Sequence, residues 1–275
     1  SATSNLEAGR TYGIPTMGTA AHSFTLLHDS EEDAFQAQLN TLGVETTLLV
    51  DTYDVEAAIR KGVELTEGRL GAIRLDSGDL PMMARQARDL LDDLGATNTR
   101  ITVTSDLDEW QIAALRGAPV DGFGVGTSLV TGSGHPTCGF VYKLVARSDS
   151  ADREAPMTPV GKKSKGKNTL GGRKFAMRRL GENGRAEAEI IGLGAAPVGD
   201  DNDRNLLVDL VKDGQQVFQG SLEDARTRHR ESLAELPLAA LRISRGDPAI
   251  ETIILDGTGA QTTNPYQAAP RPANL

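Results

Sequence analysis

Residues 71–106 read GAIRLDSGDLPMMARQARDLLDDLGATNTRITVTSD, and this stretch decides the fold class. It opens with a short apolar run, Gly71–Leu75, and closes with a β-branched run, Ile101–Thr104, each of strand length. Between them the apolar residues of Leu80–Leu94 recur at helical spacing, and Gly95 follows as a helix stop. A strand, a helix and a second strand in this order predict two parallel strands joined by a crossover helix.

The same rhythm extends over the first half of the chain, where short apolar or β-branched runs alternate with stretches that can be helical. We therefore predict the α/β class, with a parallel sheet, for a domain covering residues 1–147. The runs predicted as strands are Ile14–Met17, Thr46–Val50, Gly71–Leu75, Ile101–Thr104 and Gly122–Val125.

The composition changes near residue 148. We predict a second, mostly-β domain over residues 148–243 that holds a basic loop, strands and a helix. We expect the tail, residues 244–275, to be extended or poorly ordered because it is rich in Gly, Pro, Asn and Thr. The elements predicted around and within the second domain are a strand at Phe140–Arg147, strands at Glu187–Leu193 and Asn205–Val211, and a capped amphipathic helix at Ser221–Leu236.

Composition excludes several classes of protein. The chain of 275 residues has a net charge of −9, which argues against generic nucleic-acid binding. Its single cysteine, Cys138, excludes an internal disulfide and fits a reducing cytosol. There is no apolar run of membrane-spanning length and no signal peptide. The chain starts SATSNLEAGR, without an initiator Met, so we expect a piece of a longer protein.

Polar and glycine residues follow each of the five predicted strands. Parallel strands bring their carboxyl ends to one edge of a sheet, where the active sites of α/β proteins assemble. We therefore expect these segments to converge on one site. They are His22, the DTYD of residues 51–54, the RLDSGD of 74–79, the SDLDE of 105–109 and the Gly-Thr-Ser of 126–128.

The three acidic segments suit two kinds of chemistry. Converging carboxylates hold Mg²⁺, or they bind sugar hydroxyls and stabilise positive charge that develops on a sugar carbon. A guanidinium such as that of Arg74 suits a carboxylate or a phosphate. Acidic residues near helix starts are more often N-caps, and Asp79 and Asp108 fit that reading.

The glycine-rich segment DGFGVGTSLVTGSG, residues 121–134, has two readings of about equal weight. A Gly-Thr-Ser turn that opens a helix presents free N–H groups to a phosphate, as in late loops of α/β barrels. The alternative is a tight turn that needs glycine. The GxGxxG dinucleotide spacing is absent. A second phosphate-loop candidate, GKKSKGKN at residues 161–168, lacks strand and helix flanks, so we predict a basic loop that could cover a polyphosphate.

His22 lies in MGTAAHSF, residues 17–24, among small neighbours. From its position alone a structural histidine is the commoner case. Its place at the same sheet edge as the acids, the space beside it and the hydroxyls of Thr19 and Ser23 favour a functional role.

Five motifs, taken in order, resemble nicotinate phosphoribosyltransferases, particularly actinobacterial members. They are ATSNLEAGRTYGIPTMGTAAHSF, LLVDTYD, RLDSGDL, SDLDE and GVGTSLVTGSGHPTCGFVYKLV. The resemblance continues in GKKSKGK and GGRKFAMRR and thins in the last thirty or so residues.

The resemblance implies a fold and a reaction. The fold would be an irregular, here incomplete, α/β barrel of type II phosphoribosyltransferases, with a C-terminal mostly-β region belonging to a second domain. The reaction would join nicotinate to phosphoribosyl pyrophosphate, giving nicotinate mononucleotide and pyrophosphate for NAD salvage. ATP would be a co-substrate and Mg²⁺ a cofactor. We expect a cytoplasmic homodimer with no nucleic-acid or membrane partner.

The resemblance also implies residue roles. His22 would carry a phosphoryl group from ATP, and Asp76 and Asp106 would join it in catalysis. Asp51 and Asp54 would lie around the metal. The implied substrate-binding residues are Thr19, Arg74, Ser77, Gly78, Ser105, Gly124, Gly126 and Thr127.

One departure from the family concerns the start of the chain. Members carry, before ATSNLEAGR, a portion with an early barrel strand and an arginine-rich phosphate-binding motif. Without it we expect an open barrel with an exposed hydrophobic interior. Two alternatives follow: a catalytically inactive phosphosugar-binding fragment, or a related quinolinate or nicotinamide phosphoribosyltransferase.

Overall fold

The structure is a computed structural model that describes residues 1–135, 137, 140, 142–162, 169–244 and 246–262. The chain divides into two compact units, Ser1–Phe140 and Val141–Leu275. The sequence placed this boundary after residue 147. The composition change at residue 148 directly follows the first strand of the second unit, Ala146–Arg147. It therefore lies inside that unit and does not mark where the unit begins.

Helices and strands alternate along the first unit. In its described part they are α1 (Leu6–Tyr12), α2 (His22–Leu26), α3 (Glu31–Leu42), β1 (Thr47–Leu49), α4 (Val55–Leu65), β2 (Ala72–Leu75), α5 (Leu80–Asp93), β3 (Arg100–Val103), α6 (Glu109–Ala114), β4 (Gly122–Phe123) and α7 (Thr127–Thr131).

These four strands form one parallel sheet in the order β1-β2-β3-β4. Thr47 pairs with Ala72, and Ala72 with Arg100, so the strands run in register from one end of the sheet. Among the residues that the structure describes, the sheet is open, with β1 and β4 at its edges. The predicted α/β class and parallel sheet are confirmed.

One face of the sheet packs on the helices. Side chains alternate between the faces of a strand, and every second residue of β1, β2 and β3 enters a single apolar core. Helices α4 and α5 complete that core with their own apolar faces. The buried members include Leu48, Ile73, Leu75, Ile101 and Val103 from the strands and Ile59, Ala84 and Leu91 from the helices.

The opposite face of the same strands is largely polar. Thr47, Arg74, Arg100 and Thr102 alternate with the core residues and point away from the helices. Leu49, also on this face, is itself buried. On these strands the residues that face away from the core are therefore mainly hydroxyl and guanidinium groups, with Leu49 and Ala72 as the apolar exceptions. The exposed hydrophobic interior expected of an open barrel stays a prediction.

The crossover helix α5 forms as its sequence predicts. Asp79 caps it by accepting the Met82 N–H through its side chain at 3.0 Å, and Pro81 occupies its first turn. Gly95 follows with φ +75°, a left-handed conformation that favours glycine. Asp79 and Asp108 both act as N-caps, as their positions predict.

The first predicted strand, Ile14–Met17, does not join the sheet. Within it only Thr16 forms a bridge, to Thr3, supported by hydrogen bonds from Thr3 N to Pro15 O and from Met17 N to Thr3 O. Proline lacks a backbone N–H, which removes one ladder bond from this run. The run pairs with the N-terminal residues instead.

The second unit holds a mixed five-stranded sheet in the order β13-β12-β8-β7-β9 and two small two-stranded sheets. Its buried residues include Met177, Ala186, Ala188, Ile190 and Ile254. The described elements are β5 (Ala146–Arg147), β6 (Thr158–Pro159), β7 (Lys174–Leu180), β8 (Ala186–Leu193), β9 (Arg204–Asn205), β10 (Val211–Lys212), β11 (Gln215–Gln216), α8 (Leu222–Glu235), β12 (Glu251–Leu255) and β13 (Gln261–Thr262).

Several predictions for this unit are tested by these bounds. The helix α8 begins after Ser221, which forms a capping box with Asp224, as predicted. The strand expected at Asn205–Val211 is instead the ends of two separate short strands. Among the described residues of the strand expected at Phe140–Arg147, only Ala146 and Arg147 form strand pairs.

The tail, expected to be extended or poorly ordered, is extended and paired in two strands, Glu251–Leu255 and Gln261–Thr262. Strand β12 pairs in parallel with β8 and in antiparallel with β13, and Ile254 is buried. A β-branched run, ETIIL, outweighs the Gly- and Pro-rich composition around it.

Some predictions lie outside the described residues. These are Cys138, residues 163–168 of the GKKSKGKN segment and residues 263–275 of the tail. Among the described residues, no helix is long and apolar enough to cross a membrane.

Candidate active site

His22 is the first residue of α2 and follows Ala21, whose backbone is extended. Its Nδ1 lies 3.1 Å from the Thr52 hydroxyl, at hydrogen-bond distance. Its Nε2 faces two carboxylates, Asp51 Oδ1 at 3.8 Å and Asp76 Oδ2 at 3.7 Å. The side chain is 39% exposed, so one edge of the ring is open to a substrate. The structure thus brings the first three predicted segments together around the imidazole.

Asp51 is the most buried acid of this group, with a side chain only 3% exposed. Its Oδ2 accepts hydrogen bonds from the Asp76 N–H at 2.9 Å and the Ser77 hydroxyl at 2.8 Å. Its Oδ1 is buried and has no hydrogen-bond partner within the described part of the chain. A buried carboxylate oxygen in that state favours a cation beside it.

Arg74 and Asp76 form a second cluster on the polar face of the sheet. Arg74 Nη1 lies 3.5 Å from Asp76 Oδ1 and donates to the Thr104 hydroxyl at 3.3 Å. Arg74 Nη2 donates to the carbonyl of Ala20, two residues before His22, at 3.1 Å. The Thr104 hydroxyl donates in turn to Asp76 Oδ1. The arginine therefore ties the histidine segment to the acid that faces it.

Glycines shape the loops beside these clusters. Gly78 has φ +84°, and a Cβ there would meet the Met83 sulfur at 2.5 Å. A Cβ on Gly124 would lie 2.4 Å from Thr104 Cγ2, whereas Gly126 has open space around it. Gly126 is the N-cap of the short helix α7, which Thr127 begins. Gly78 and Gly124 are therefore positions where the local geometry requires glycine.

Other predicted residues are not joined to the His22 cluster by any contact. Asp106 is exposed and makes no hydrogen bond or ion pair with another described residue, and Ser105 holds φ +145°, a conformation that favours glycine. Thr19 lines a cavity of about 640 Å³ on the polar face of the sheet. Thr102 and Phe123 are among the other residues of that cavity.

Asp54 has a structural duty, because its Oδ1 accepts the Ala57 N–H at 2.8 Å and caps α4. Burial, reinforced by the charge of Asp54, raises the pKa of the nearby Glu31 carboxyl. Over the described ranges no group of three or more His, Cys, Asp and Glu side chains could hold a metal ion. The metal roles predicted for Asp51 and Asp54 stay predictions.

Two residues of the cluster were missed from the sequence. Thr52 orients the His22 ring, and Thr104 links Arg74 to Asp76. Thr52 follows a predicted strand, inside the quoted DTYD segment, and Thr104 is the last residue of the predicted strand Ile101–Thr104. A single hydroxyl among acidic residues gives a weaker sequence signal than the acids do, although it can donate one hydrogen bond and accept another.

Curated relatives share one name. The nicotinate phosphoribosyltransferase pncB1 of Mycobacterium tuberculosis is 50% identical over 260 residues, which cover 91% of this chain and 56% of the relative. The pncB2 enzyme of the same organism is 41% identical, covering 86% and 50%. The Bacillus subtilis nicotinate phosphoribosyltransferase is 38% identical, covering 70% and 41%. The chain thus spans about half the length of the curated relatives it matches. No protein-family model matches it.

Solved structures agree on the fold. Human nicotinic acid phosphoribosyltransferase aligns with a TM-score of 0.65 at 23% identity, over 92% of this chain and 62% of that one. Nicotinate-nucleotide pyrophosphorylase from Pyrococcus furiosus aligns with a TM-score of 0.64 at 21% identity, over 85% and 58%. At these identities the similarity shows the fold alone.

Proposed function

The chain belongs to the nicotinate phosphoribosyltransferase family, and we propose that it catalyses ATP-coupled transfer of a phosphoribosyl group to nicotinate. The substrates would be nicotinate, phosphoribosyl pyrophosphate and ATP. The products would be nicotinate mononucleotide and pyrophosphate, with ADP and phosphate from the coupled hydrolysis. The reaction would serve NAD salvage in the cytoplasm, in a homodimer. The open parallel sheet would be part of an irregular α/β barrel.

The observation that carries the proposal is the placement of the His22 ring. A hydroxyl holds one ring nitrogen, two carboxylates face the other, and one edge of the ring is open. A neutral imidazole is a competent nucleophile toward phosphorus. The electron pair of its unprotonated nitrogen would form the bond to the γ-phosphorus of ATP. The bond from that phosphorus to its bridging oxygen would break, and ADP would leave with the electron pair.

The sugar transfer needs a different set of groups. Loss of pyrophosphate leaves positive charge on the ribose carbon, and a fixed carboxylate stabilises that charge. Asp76 fits this duty because Thr104 and Arg74 hold Oδ1, while Oδ2 forms no hydrogen bond with a described residue. Arg74 supplies a positive charge for a phosphate or for the nicotinate carboxylate. Asp106, Ser105, Ser77 and the Gly124–Thr127 loop would complete the ribose and phosphate contacts.

We further propose Mg²⁺ as a cofactor. The unpartnered oxygen of Asp51 is the kind of ligand that Mg²⁺ takes, and this ion is commonly held by one or two carboxylates together with substrate phosphates. Asp51, and Asp54 through its second oxygen, would hold the ion. When bound, it would neutralise charge on the leaving pyrophosphate.

Incubation with γ-labelled ATP tests the proposal. The wild-type chain should acquire acid-labile label, and His22→Ala should lose it. His229→Ala, an exposed histidine of α8, is the matched control and should keep it. An unlabelled wild-type chain that still binds phosphoribosyl pyrophosphate would be a binding module rather than an ATP-coupled enzyme.

A further inference from the structure

Thr104 stands where the acidic cluster and the glycine loop meet. It directly follows β3, and its backbone N–H donates to the Leu75 carbonyl at 2.9 Å. Its hydroxyl donates one hydrogen bond, to Asp76, and accepts one, from Arg74. A hydroxyl has a single proton to donate, so Asp76 is the group that receives it.

This hydrogen bond decides how the Asp76 carboxylate is oriented. Oδ1 is held by Thr104 and lies 3.5 Å from Arg74 Nη1. Oδ2 is thereby turned toward His22, whose Nε2 lies 3.7 Å away. The backbone N–H of Asp76 is bound separately by Asp51. Without the Thr104 hydroxyl, the carboxylate would keep its backbone anchor but lose a donor that selects its rotamer.

The methyl group of Thr104 faces the other way, toward the glycine loop. A Cβ built on Gly124 would lie 2.4 Å from Thr104 Cγ2 but 3.5 Å from Thr104 Cβ, which is an ordinary contact. The methyl alone therefore sets how closely the loop approaches β3. Two residues earlier on the same face, a Cβ built on Gly122 would lie 3.1 Å from the Thr102 hydroxyl oxygen.

We propose that Thr104 is a positioning residue with two separable duties: its hydroxyl orients the Asp76 carboxylate, and its methyl sets the clearance of the glycine loop at Gly124. The inference rests on the proposed function, because it assigns Asp76 to the sugar transfer and Gly124 to the phosphoribosyl site. Thr104 acts through these two groups and need not touch substrate.

The hydroxyl is tested by comparing Thr104→Val with Thr104→Ser. Valine keeps the branched shape and loses the hydrogen bond, so kcat for nicotinate mononucleotide synthesis should fall on the order of 10- to 100-fold. Serine restores the hydroxyl and should recover most of that loss. Thr102→Val makes the same change two residues earlier on the same face. Because Thr102 forms no hydrogen bond through its side chain with the described residues, kcat should stay within about twofold of wild type.

The methyl is tested by a double-mutant cycle. Gly124→Ala should raise KM for phosphoribosyl pyrophosphate about fivefold or more and lower the melting temperature, because the new Cβ overlaps Thr104 Cγ2. In the Thr104→Ser background that overlap is gone, so Gly124→Ala should be tolerated. The two changes should therefore be strongly non-additive.

Defined results overturn the proposal. Equal turnover in Thr104→Val and wild type removes the hydroxyl duty, and so does a Thr104→Ser variant that recovers no more turnover than Thr104→Val. Additive effects in the cycle remove the methyl duty.

If the wild-type chain makes no nicotinate mononucleotide, the proposed function fails instead. Thr104 is then judged by the melting temperatures of the cycle and by calorimetric binding of phosphoribosyl pyrophosphate. Equal binding by the valine and serine variants would overturn the hydroxyl duty.

Discussion

Asp51 presents a buried carboxylate oxygen, Oδ1, to the Nε2 of His22 at 3.8 Å. Within the described residues that oxygen has no hydrogen bond, while the other oxygen of the same carboxylate accepts two. The acid therefore combines a structural duty with an unsatisfied charge aimed at the proposed phosphoryl acceptor. Substitutions at four residues, each with a control variant, test this geometry and the stability of the two units.

Asp51→Asn should separate the charge of Asp51 from its structural duty. An amide still offers an acceptor to the Asp76 N–H, so the fold should remain. Labelling of His22 by ATP should fall about 100-fold or more, because one of the two carboxylate charges that face the ring is removed. Asp51→Ala should in addition lower the free energy of unfolding by about 1–3 kcal/mol, since the Asp76 N–H and the Ser77 hydroxyl lose their acceptor.

Asp121→Asn is the matched control for Asp51. Asp121 likewise accepts a strand N–H, that of Ile101 at 2.8 Å, but at the amino-terminal end of the sheet. Its neutral variant should label at the wild-type rate. Equal labelling of Asp51→Asn and Asp121→Asn would show that the Asp51 charge has no part in the reaction.

Asp76→Asn should cut synthesis of nicotinate mononucleotide by about 100-fold or more while leaving the melting temperature close to wild type, because the Asp76 backbone anchor to Asp51 is kept. Steady-state kinetics with saturating nicotinate measures the effect. The control is Asp79→Asn, three residues away at the N-cap of α5, because asparagine caps a helix as well as aspartate does. Near-normal turnover of Asp76→Asn would contradict its assignment to the sugar transfer.

Gly71→Ala should destabilise the first unit although Gly71 is far from any reacting group. A Cβ at this position would lie 2.4 Å from the backbone oxygen of Glu45, and backbone cannot move aside as a side chain can. We expect a loss of about 1–3 kcal/mol in unfolding free energy, read from denaturant titration. Gly117→Ala, with nothing within 4 Å of its new Cβ, should stay within about 0.5 kcal/mol of wild type.

The acid Glu235 should make the second unit sensitive to low pH. Arg204 contacts both of its carboxylate oxygens, at 2.8 and 2.5 Å, and lowers the pKa of Glu235 below its ordinary 4.5. A carboxyl whose pKa is lower in the folded state than in the unfolded state stabilises the fold above about pH 4.5. That contribution is lost as the pH falls through the lowered value.

Glu235→Gln should therefore reduce stability at pH 7 and flatten its decline between pH 5 and pH 3, roughly, in thermal melts. Glu223→Gln, at the exposed start of the same helix, should leave the profile within about 0.5 kcal/mol of wild type. A Glu235→Gln profile that parallels the wild-type profile would show that this ion pair adds nothing to acid stability.

Much of the first unit could be predicted from the sequence because its signals are local. The run Ala72–Leu75 and the helix Leu80–Asp93 carry their own periodicity, cap and stop, and both form within a residue of the predicted bounds. The run at Ile14–Met17 has the same apolar character but no sheet partner. Pairing depends on distant residues, which is why that prediction failed and why β12 was missed in the tail.

The gathering of Asp51, Arg74 and Asp76 was also predicted, since parallel strands deliver their carboxyl ends to one edge, and His22 joins them although the run before it lies outside the sheet. The sequence by itself determined which residue types stand at that edge, through the spacing of strands and helices. Only the tertiary structure decided which atoms meet. The Thr52 hydroxyl on the imidazole, the Thr104 hydroxyl on Asp76 and the unpartnered oxygen of Asp51 each depend on rotamers and strand register, which arise when segments tens of residues apart pack together.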